Sequence, residues 1–119
     1  MKKAIAFLIM INLFRCESFS QNVNLDSLWT VWEDENQPDT NRFEAMTKIA
    51  WDGYLFSQPD SAYYYTQLQY DLAKSRGNQK WVANALHSQG ISLFLQHDFS
   101  NAIDHYSRSL AIRKKIGDR

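Results

Sequence analysis

Three histidines are the residues best suited to acid–base or metal chemistry in this chain of 119 residues. His87, His97 and His105 are spaced ten and eight apart. Two metal ligands on one helical face stand four apart, so this spacing does not build a ligand pair. His97-Asp98 and Asp104-His105 are sequence neighbours, whose side chains diverge on a helix. Glu33-Asp34-Glu35 reads as a solvated helix end rather than a calcium loop, because no acidic loop of the required form follows. Arg113, Lys114 and Lys115 read as cations complementing a helix C-terminus, in preference to a basic docking patch. No glycine-rich phosphate loop, nucleophile elbow or basic-aromatic nucleic-acid stripe is present. The chemistry expected is therefore binding without catalysis, with no metal and no cofactor.

The bulk properties agree. Formal net charge is zero, which gives no electrostatic case for a nucleic-acid partner. The length allows one small domain at most. Seventeen residues are Phe, Trp or Tyr, against two prolines and four glycines, a composition that suits a helical chain.

Residues 1–20 read as a secretory signal. Lys2 and Lys3 supply the positive start, Ala4 to Phe14 the apolar run, and Ser18-Phe19-Ser20 the small residues before a cut at Gln21. The run is too short to span a bilayer, which takes about 20 apolar residues. Cys16 invites a lipoprotein reading, but Arg15 stands where that motif takes a small residue. Cleavage after Ser20 leaves no cysteine, which excludes thiol catalysis, disulfides and cysteine metal sites. The protein is expected to be exported, in a bacterial periplasmic or extracytoplasmic setting. Any membrane link would run through the signal peptide or a region downstream of this chain.

Five helical stretches follow. The first, roughly Leu25 to Glu35, carries Leu25, Leu28, Trp29 and Trp32 on one face. Residues 21–40 thus form an N-terminal helix and linker, ended by Asn36-Gln37-Pro38-Asp39, with Asp39 or Thr40 capping the second helix. That helix runs to about Phe56 with Phe43, Met46, Ile49, Ala50 and Tyr54 as its stripe. Ser57 and Asp60 are spaced as a capping box, with Pro59 in the first turn of a third helix that ends at Gly77. The fourth spans about Gln79 to Gln96 and carries Val82, Leu86, Leu93 and Phe94. A corner at His97-Asp98 precedes the fifth, about Phe99 to Ile116, closed by Gly117.

The chain also copies itself faintly at an offset of 40 residues. Ala62 falls on Ala102, Leu72 on Ile112, Lys74 on Lys114 and Gly77 on Gly117. Ala45 falls on Ala85, Met46 on Leu86, Ala50 on Gly90 and Tyr54 on Phe94. Fixed periods of this size mark stacked helical repeats, which usually bind other chains.

Within Ala83 to Lys114 the order Leu86, Gly90, Leu93-Phe94, Phe99, Ala102, Tyr106, Ser109 resembles a tetratricopeptide repeat. Gly90 and Ala102 would let paired helices approach closely, with Phe99 and Tyr106 filling the space beside them. One repeat earlier, Ala50 and Ala62 keep the small positions while Pro59 and Thr66 replace the aromatics. The corner position, usually glycine in that family, is His97. The resemblance implies an all-α fold of tetratricopeptide-like hairpins, an α-solenoid of about two repeats (41–78 and 79–119) behind an N-terminal capping helix. The whole chain also resembles the exported N-terminal repeat region of bacterial membrane sensor proteins, whose later parts are a nucleotide cyclase or a histidine kinase. This chain carries neither part, so no enzyme activity is assigned to it. The alternative reading is a truncated N-terminal part of a membrane adenylate or guanylate cyclase or sensor histidine kinase.

In that family, ligands lie in a concave groove formed by the first helix of each hairpin. The matching positions are Glu44, Thr47, Trp51, Tyr54 and Leu55, then Asn84, His87, Ile91, Phe94 and Leu95. The expected groove contacts are Trp51, Tyr54, Asn84, His87, Ile91 and Phe94, and the expected ligand is a protein or peptide, as the sensory part of a signalling protein. Thr47, Trp51, His87 and Ser88 stand where some relatives clamp a terminal carboxylate with Lys and Asn, which disfavours a chaperone tail. With only two repeats the outer face of Phe99 to Ile116 would be uncovered, which favours self-association.

Overall fold

The computed structural model describes residues 24–117. The signal-peptide reading of residues 1–20, the cut before Gln21 and Cys16 lie outside them. Among the described residues the fold is all-α, with five helices packed as antiparallel neighbours. Helix α1 is Leu25–Glu33, α2 is Asp39–Lys48 continuing as a π-helical segment Ile49–Leu55, α3 is Pro59–Ser75, α4 is Gln79–Leu95 and α5 is Phe99–Lys115.

The helix ends show why the breaks fall where they do. Asn24 caps α1, its Oδ1 accepting from the Ser27 amide at 3.1 Å. After α3, Gly77 takes a positive φ of 67°. The Asn78 amide then donates to the Ala73 carbonyl at 2.9 Å and the Gly77 amide to the Lys74 carbonyl at 3.0 Å, a doubly bonded closure of the last turn. The corner after α4 repeats this geometry with Asp98 on Leu93 at 2.9 Å and His97 on Phe94 at 3.0 Å. His97 therefore adopts the left-handed conformation itself, at φ 66°, where a Cβ is costly. Asn78 and Asp98 next serve as N-caps, accepting from the Trp81 amide at 3.2 Å and the Asn101 amide at 3.4 Å.

Two expected caps are not formed. Pro38 occupies the N-cap of α2 without a side-chain bond, and Asp39 is already helical. Its carboxylate instead receives Arg76 Nε at 2.9 Å. The Ser57–Asp60 capping box is also absent: Gln58 is the N-cap of α3, and Asp60 Oδ1 accepts from the adjacent Ser61 amide at 2.9 Å. In both places a proline at or beside the first turn fixes the entry angle and leaves fewer amides to cap.

The larger departure from expectation is the π segment Ile49–Leu55 in place of continuous α-helix. Its wider turn brings residues five apart into line. Ala50 and Leu55, five apart and each 1% exposed, lie in one apolar cluster with Ala62. On a regular α-helix they would point some 140° apart. Gly53 lies under α1, where a Cβ would come within 3.0 Å of Leu25 Cδ2.

The core has two centres. Phe43, Ala73, Val82 and Leu86 form one, with Trp32, Tyr70, Leu72, Trp81 and Ile112 around it. Ala50, Leu55 and Ala62 form the other, with Trp51, Tyr54, Tyr65, Ile91 and Leu95 around it. Helix α1 joins through half-buried side chains. Trp29 meets Tyr65 edge-on at 5.3 Å, and buried Arg42 donates to the Trp32 carbonyl at 2.8 Å with its guanidinium over the Trp32 ring.

A series of polar ties fixes the longitudinal register. Gln69 of α3 donates to the Phe43 carbonyl of α2 at 2.8 Å. Gln89 of α4 donates to the Tyr63 carbonyl of α3 at 3.4 Å, and Ser109 of α5 to the Ala83 carbonyl of α4 at 2.8 Å. Each tie spans 26 residues. Ser92 of α4 adds a bond to the Pro59 carbonyl of α3.

Candidate functional site

Side chains of α2 and its π segment meet side chains of α4, as where Trp51 bonds Ser88 and Phe43 stacks on Trp81, and a hollow with apolar walls and polar edges opens beside these contacts. It is a cavity of about 290 Å³ lined by Glu44, Thr47, Lys48, Trp51, Trp81, Asn84, His87, Ser88 and Arg113. A wider hollow of about 680 Å³, lined by His87, Ile91, Tyr106, Ser109, Leu110 and Arg113, adjoins it. His87 and Arg113 belong to both, so the two form one groove.

The walls are fixed by packing and by hydrogen bonds. Trp51 sits on the π segment and donates its Nε1–H to Ser88 Oγ at 2.9 Å, tying α2 to α4. Trp81 stacks on buried Phe43, with centroids 5.2 Å apart and planes at 25°. Arg113 reaches in from α5 and donates from Nη2 to Asn84 Oδ1 at 2.6 Å, and from Nε to Ser109 Oγ at 3.4 Å. Ser109 is itself anchored on Ala83. Tyr106 flanks His87 with centroids 5.7 Å apart. Partial burial first, and then the Arg113 charge, hold the His87 imidazole below its ordinary range, which favours the neutral ring. Burial pushes the Tyr106 phenol up.

Of the six expected groove contacts, Trp51, Asn84, His87 and Ile91 line this groove. The other two lie elsewhere. Tyr54 packs against Tyr65 at 4.9 Å, beside the Ala50–Leu55–Ala62 cluster. Phe94 meets Phe99 edge-on at 5.3 Å at the α4–α5 corner. Tyr54 and Phe94, 40 residues apart, both lie outside the hollow, although one is on the π segment and the other on regular α-helix.

Trp81, Lys48 and Arg113 were absent from the sequence-derived set. Trp81 precedes Asn84 by three and Ser88 by seven, so helical periodicity alone could have found it. Arg113 could not be found that way, since it comes from another helix 29 residues from Asn84.

The remaining histidines stand apart from the groove. His105 places Nδ1 2.9 Å from the Asn101 carbonyl and Nε2 3.4 Å from the Tyr63 hydroxyl. His97 packs edge-on against Phe99. Among the described residues no group of three His, Cys, Asp or Glu side chains could hold a metal ion, and no helix is long and apolar enough to cross a membrane. The groove offers aromatic walls, an amide, a guanidinium and a neutral imidazole. That set can seat an apolar or aromatic side chain and hydrogen-bond the chain that carries it.

No protein-family model, no characterised protein sequence and no solved structure matches this chain. The class established by the fold is an all-helical domain of five antiparallel neighbours.

Proposed function

We propose that this chain is a tetratricopeptide-like helical-repeat module that binds a protein or peptide segment along the groove between α2, α4 and α5. The observation that carries the reading is the groove itself: Trp51, Trp81, Asn84, His87 and Arg113 around one apolar hollow. Convergent rigid aromatics with a few polar edges are the usual anchors of peptide recognition. The repeat reading is supported by helix starts at 59, 79 and 99, each beginning seventeen helical residues, and by ties of one constant span. Exportation, and a place at the sensing end of a signalling protein, are part of the same proposal. They are motivated by the basic-then-apolar residues 2–14.

The test is selection from a random peptide library displayed on phage, followed by fluorescence titration of the selected peptides. The expected result is a shared apolar motif whose binding shifts tryptophan emission and weakens at least tenfold in Trp51→Ala and Asn84→Ala. Selection of no motif, or equal binding by both variants, would overturn the groove as the site.

A further inference from the structure

The π segment Ile49–Leu55 touches the groove on one side and α1 on another. Toward α4, Trp51 donates to Ser88 Oγ at 2.9 Å and walls the cavity. Toward α1, Gly53 leaves room for Leu25, whose Cδ2 would lie 3.0 Å from a Cβ at that position. Tyr54 meets Tyr65 at 4.9 Å, and Tyr65 meets Trp29 of α1 at 5.3 Å. Helix α1 itself is shallowly attached. It has no buried residue, whereas each of the other four helices has at least two.

The same chain shows what this segment does as ordinary helix. Residues 39–55 and 79–95 are equal in length and 40 apart, and each run is followed by a three-residue corner and a helix that starts at 59 or 99. Residues 79–95 are α-helical throughout. The frame between corners therefore accepts α winding, and side-chain packing selects the π form in one of its two copies. Three contacts do so. Leu55 joins Ala50 and Ala62 in a buried cluster, Leu25 lies over Gly53, and Trp51 bonds Ser88. Wound as α-helix, the segment would line up Tyr54 with Ala50, four apart, as Phe94 stands to Gly90 in α4.

We propose that Ile49–Leu55 is a two-state joint that couples the groove to α1. The π form seats Leu25 on Gly53 and Trp51 on Ser88 together, and winding to α-helix releases both. One element with two arrangements, biased from two places, is the physical requirement for such coupling. The inference deepens the groove reading and rests on it for its consequence. A ligand packed on Trp51 where it stands would favour the π form and hold α1 in place, and undocking of α1 would weaken that ligand by the same factor.

The test reads the joint in the full chain by NMR without any ligand, so its failure is distinct from failure of the groove as a peptide site. Ser88→Ala removes the acceptor on α4, across the segment from α1. The expected result is faster hydrogen exchange at the α1 amides of Leu28 to Glu33, by up to about fivefold, the worth of one modest hydrogen bond. The α5 amides of Ala102 to Ser109 should keep their rates. From the other side, Leu25→Ala should move the Trp51 indole N–H resonance toward its position in Ser88→Ala. Gly53→Ala, whose methyl meets Leu25 and favours α winding, should speed α1 exchange and move the indole resonance in the same direction. Equal quickening in α1 and α5 would mean plain destabilisation and would overturn the proposal. Unchanged α1 exchange in Ser88→Ala, or a Trp51 indole unmoved by Leu25→Ala, would overturn it as well.

Discussion

Ala50 in α2 and Gly90 in α4 are 40 residues apart and solve the same packing problem with opposite volumes. In the α2–α3 pair the small residue keeps its methyl, and Ala50 is buried with Leu55 and Ala62. Its counterpart of Tyr106 there is Thr66, buried and bonded back to the Ala62 and Tyr63 carbonyls. In the α4–α5 pair the methyl is gone and the tyrosine fills the space. A Cβ on Gly90 would lie 2.6 Å from the Tyr106 ring. The backbones differ as well, since α2 widens into a π segment while α4 stays α-helical to Leu95. The two pairs hold the same register through ties of the same span, so register and volume are set by different residues. The ties act on the backbone, and the volumes can then drift together so long as their sum fits.

Phe43 joins the two pairs, and its removal should have the largest effect. Its ring is fully buried and stacks on Trp81. Phe43→Ala should cost about 3–5 kcal/mol in chemical denaturation and withdraw support from the Trp81 wall. Peptide binding in the groove should therefore weaken even where the chain still folds. Binding unchanged in a folded Phe43→Ala protein would show that Trp81 is held by other contacts.

Gly90→Ala tests the volume exchange directly. The added methyl meets a ring held between helices rather than the end of a flexible side chain, so the expected cost is about 2 kcal/mol. Ala50→Gly, the reverse change in the other pair, should cost about 1 kcal/mol through lost packing and helix propensity. Pairing Gly90→Ala with Tyr106→Thr should recover part of the first loss, read as a favourable coupling in a double-mutant cycle. Strict additivity would mean that the helices separate to admit the methyl and that the two positions are not coupled.

The corners sharpen the comparison at smaller scale. Gly77 and His97 close α3 and α4 with the same hydrogen bonds and nearly the same positive φ. Gly77→Ala should destabilise by about 1 kcal/mol. His97→Gly should stabilise by about 0.5 kcal/mol, since relief of the backbone strain exceeds the added freedom of the unfolded chain. Thermal unfolding of both variants checks the opposite signs. Loss of stability in His97→Gly would show that the His97 contact with Phe99 outweighs the strain.

What was legible in the sequence follows from how far each signal reaches. The helices and the corners at Gly77 and His97-Asp98 were readable because caps and turn residues act within a few positions. The resemblance marks Gly90 as a close-approach position and Tyr106 as a filler beside it, whereas their direct contact appears only in the packed structure. The π segment was not legible. Ile49, Ala50 and Tyr54 fit an α-helical stripe well enough to hide it, and the wider turn is visible only once Leu55 is seen beside Ala50. Tyr54, offered as a groove contact by the resemblance, packs against Tyr65. In the groove, Trp51, Asn84, His87 and Ile91 come from α2 with its π segment and from α4, positions the sequence offers only as what the repeat resemblance implies. Arg113 arrives from α5 through tertiary packing, which no local pattern encodes. Asp39 and Ser57 misled for a related reason: each has the composition of a cap, but the neighbouring proline decided where the helix begins.

The smallest effect expected is a pH dependence that separates the groove from the corners, because His87 lines the groove beside Arg113. Partial burial beside Tyr106 and the charge of Arg113 hold its imidazole below its ordinary value of 6.5. The folded state therefore binds fewer protons at this site than the unfolded chain as pH falls through that value. Folding stability should decline across this window and level off once both states are protonated. His87→Gln should flatten the decline, leaving any residual slope to other groups. The same protonation would place a second cation beside Arg113, so peptides carrying a carboxylate should gain relative to neutral peptides as pH falls. A pH profile unchanged by His87→Gln, in both stability and peptide preference, would separate this imidazole from the groove's electrostatics and leave Arg113 as the charge that sets them.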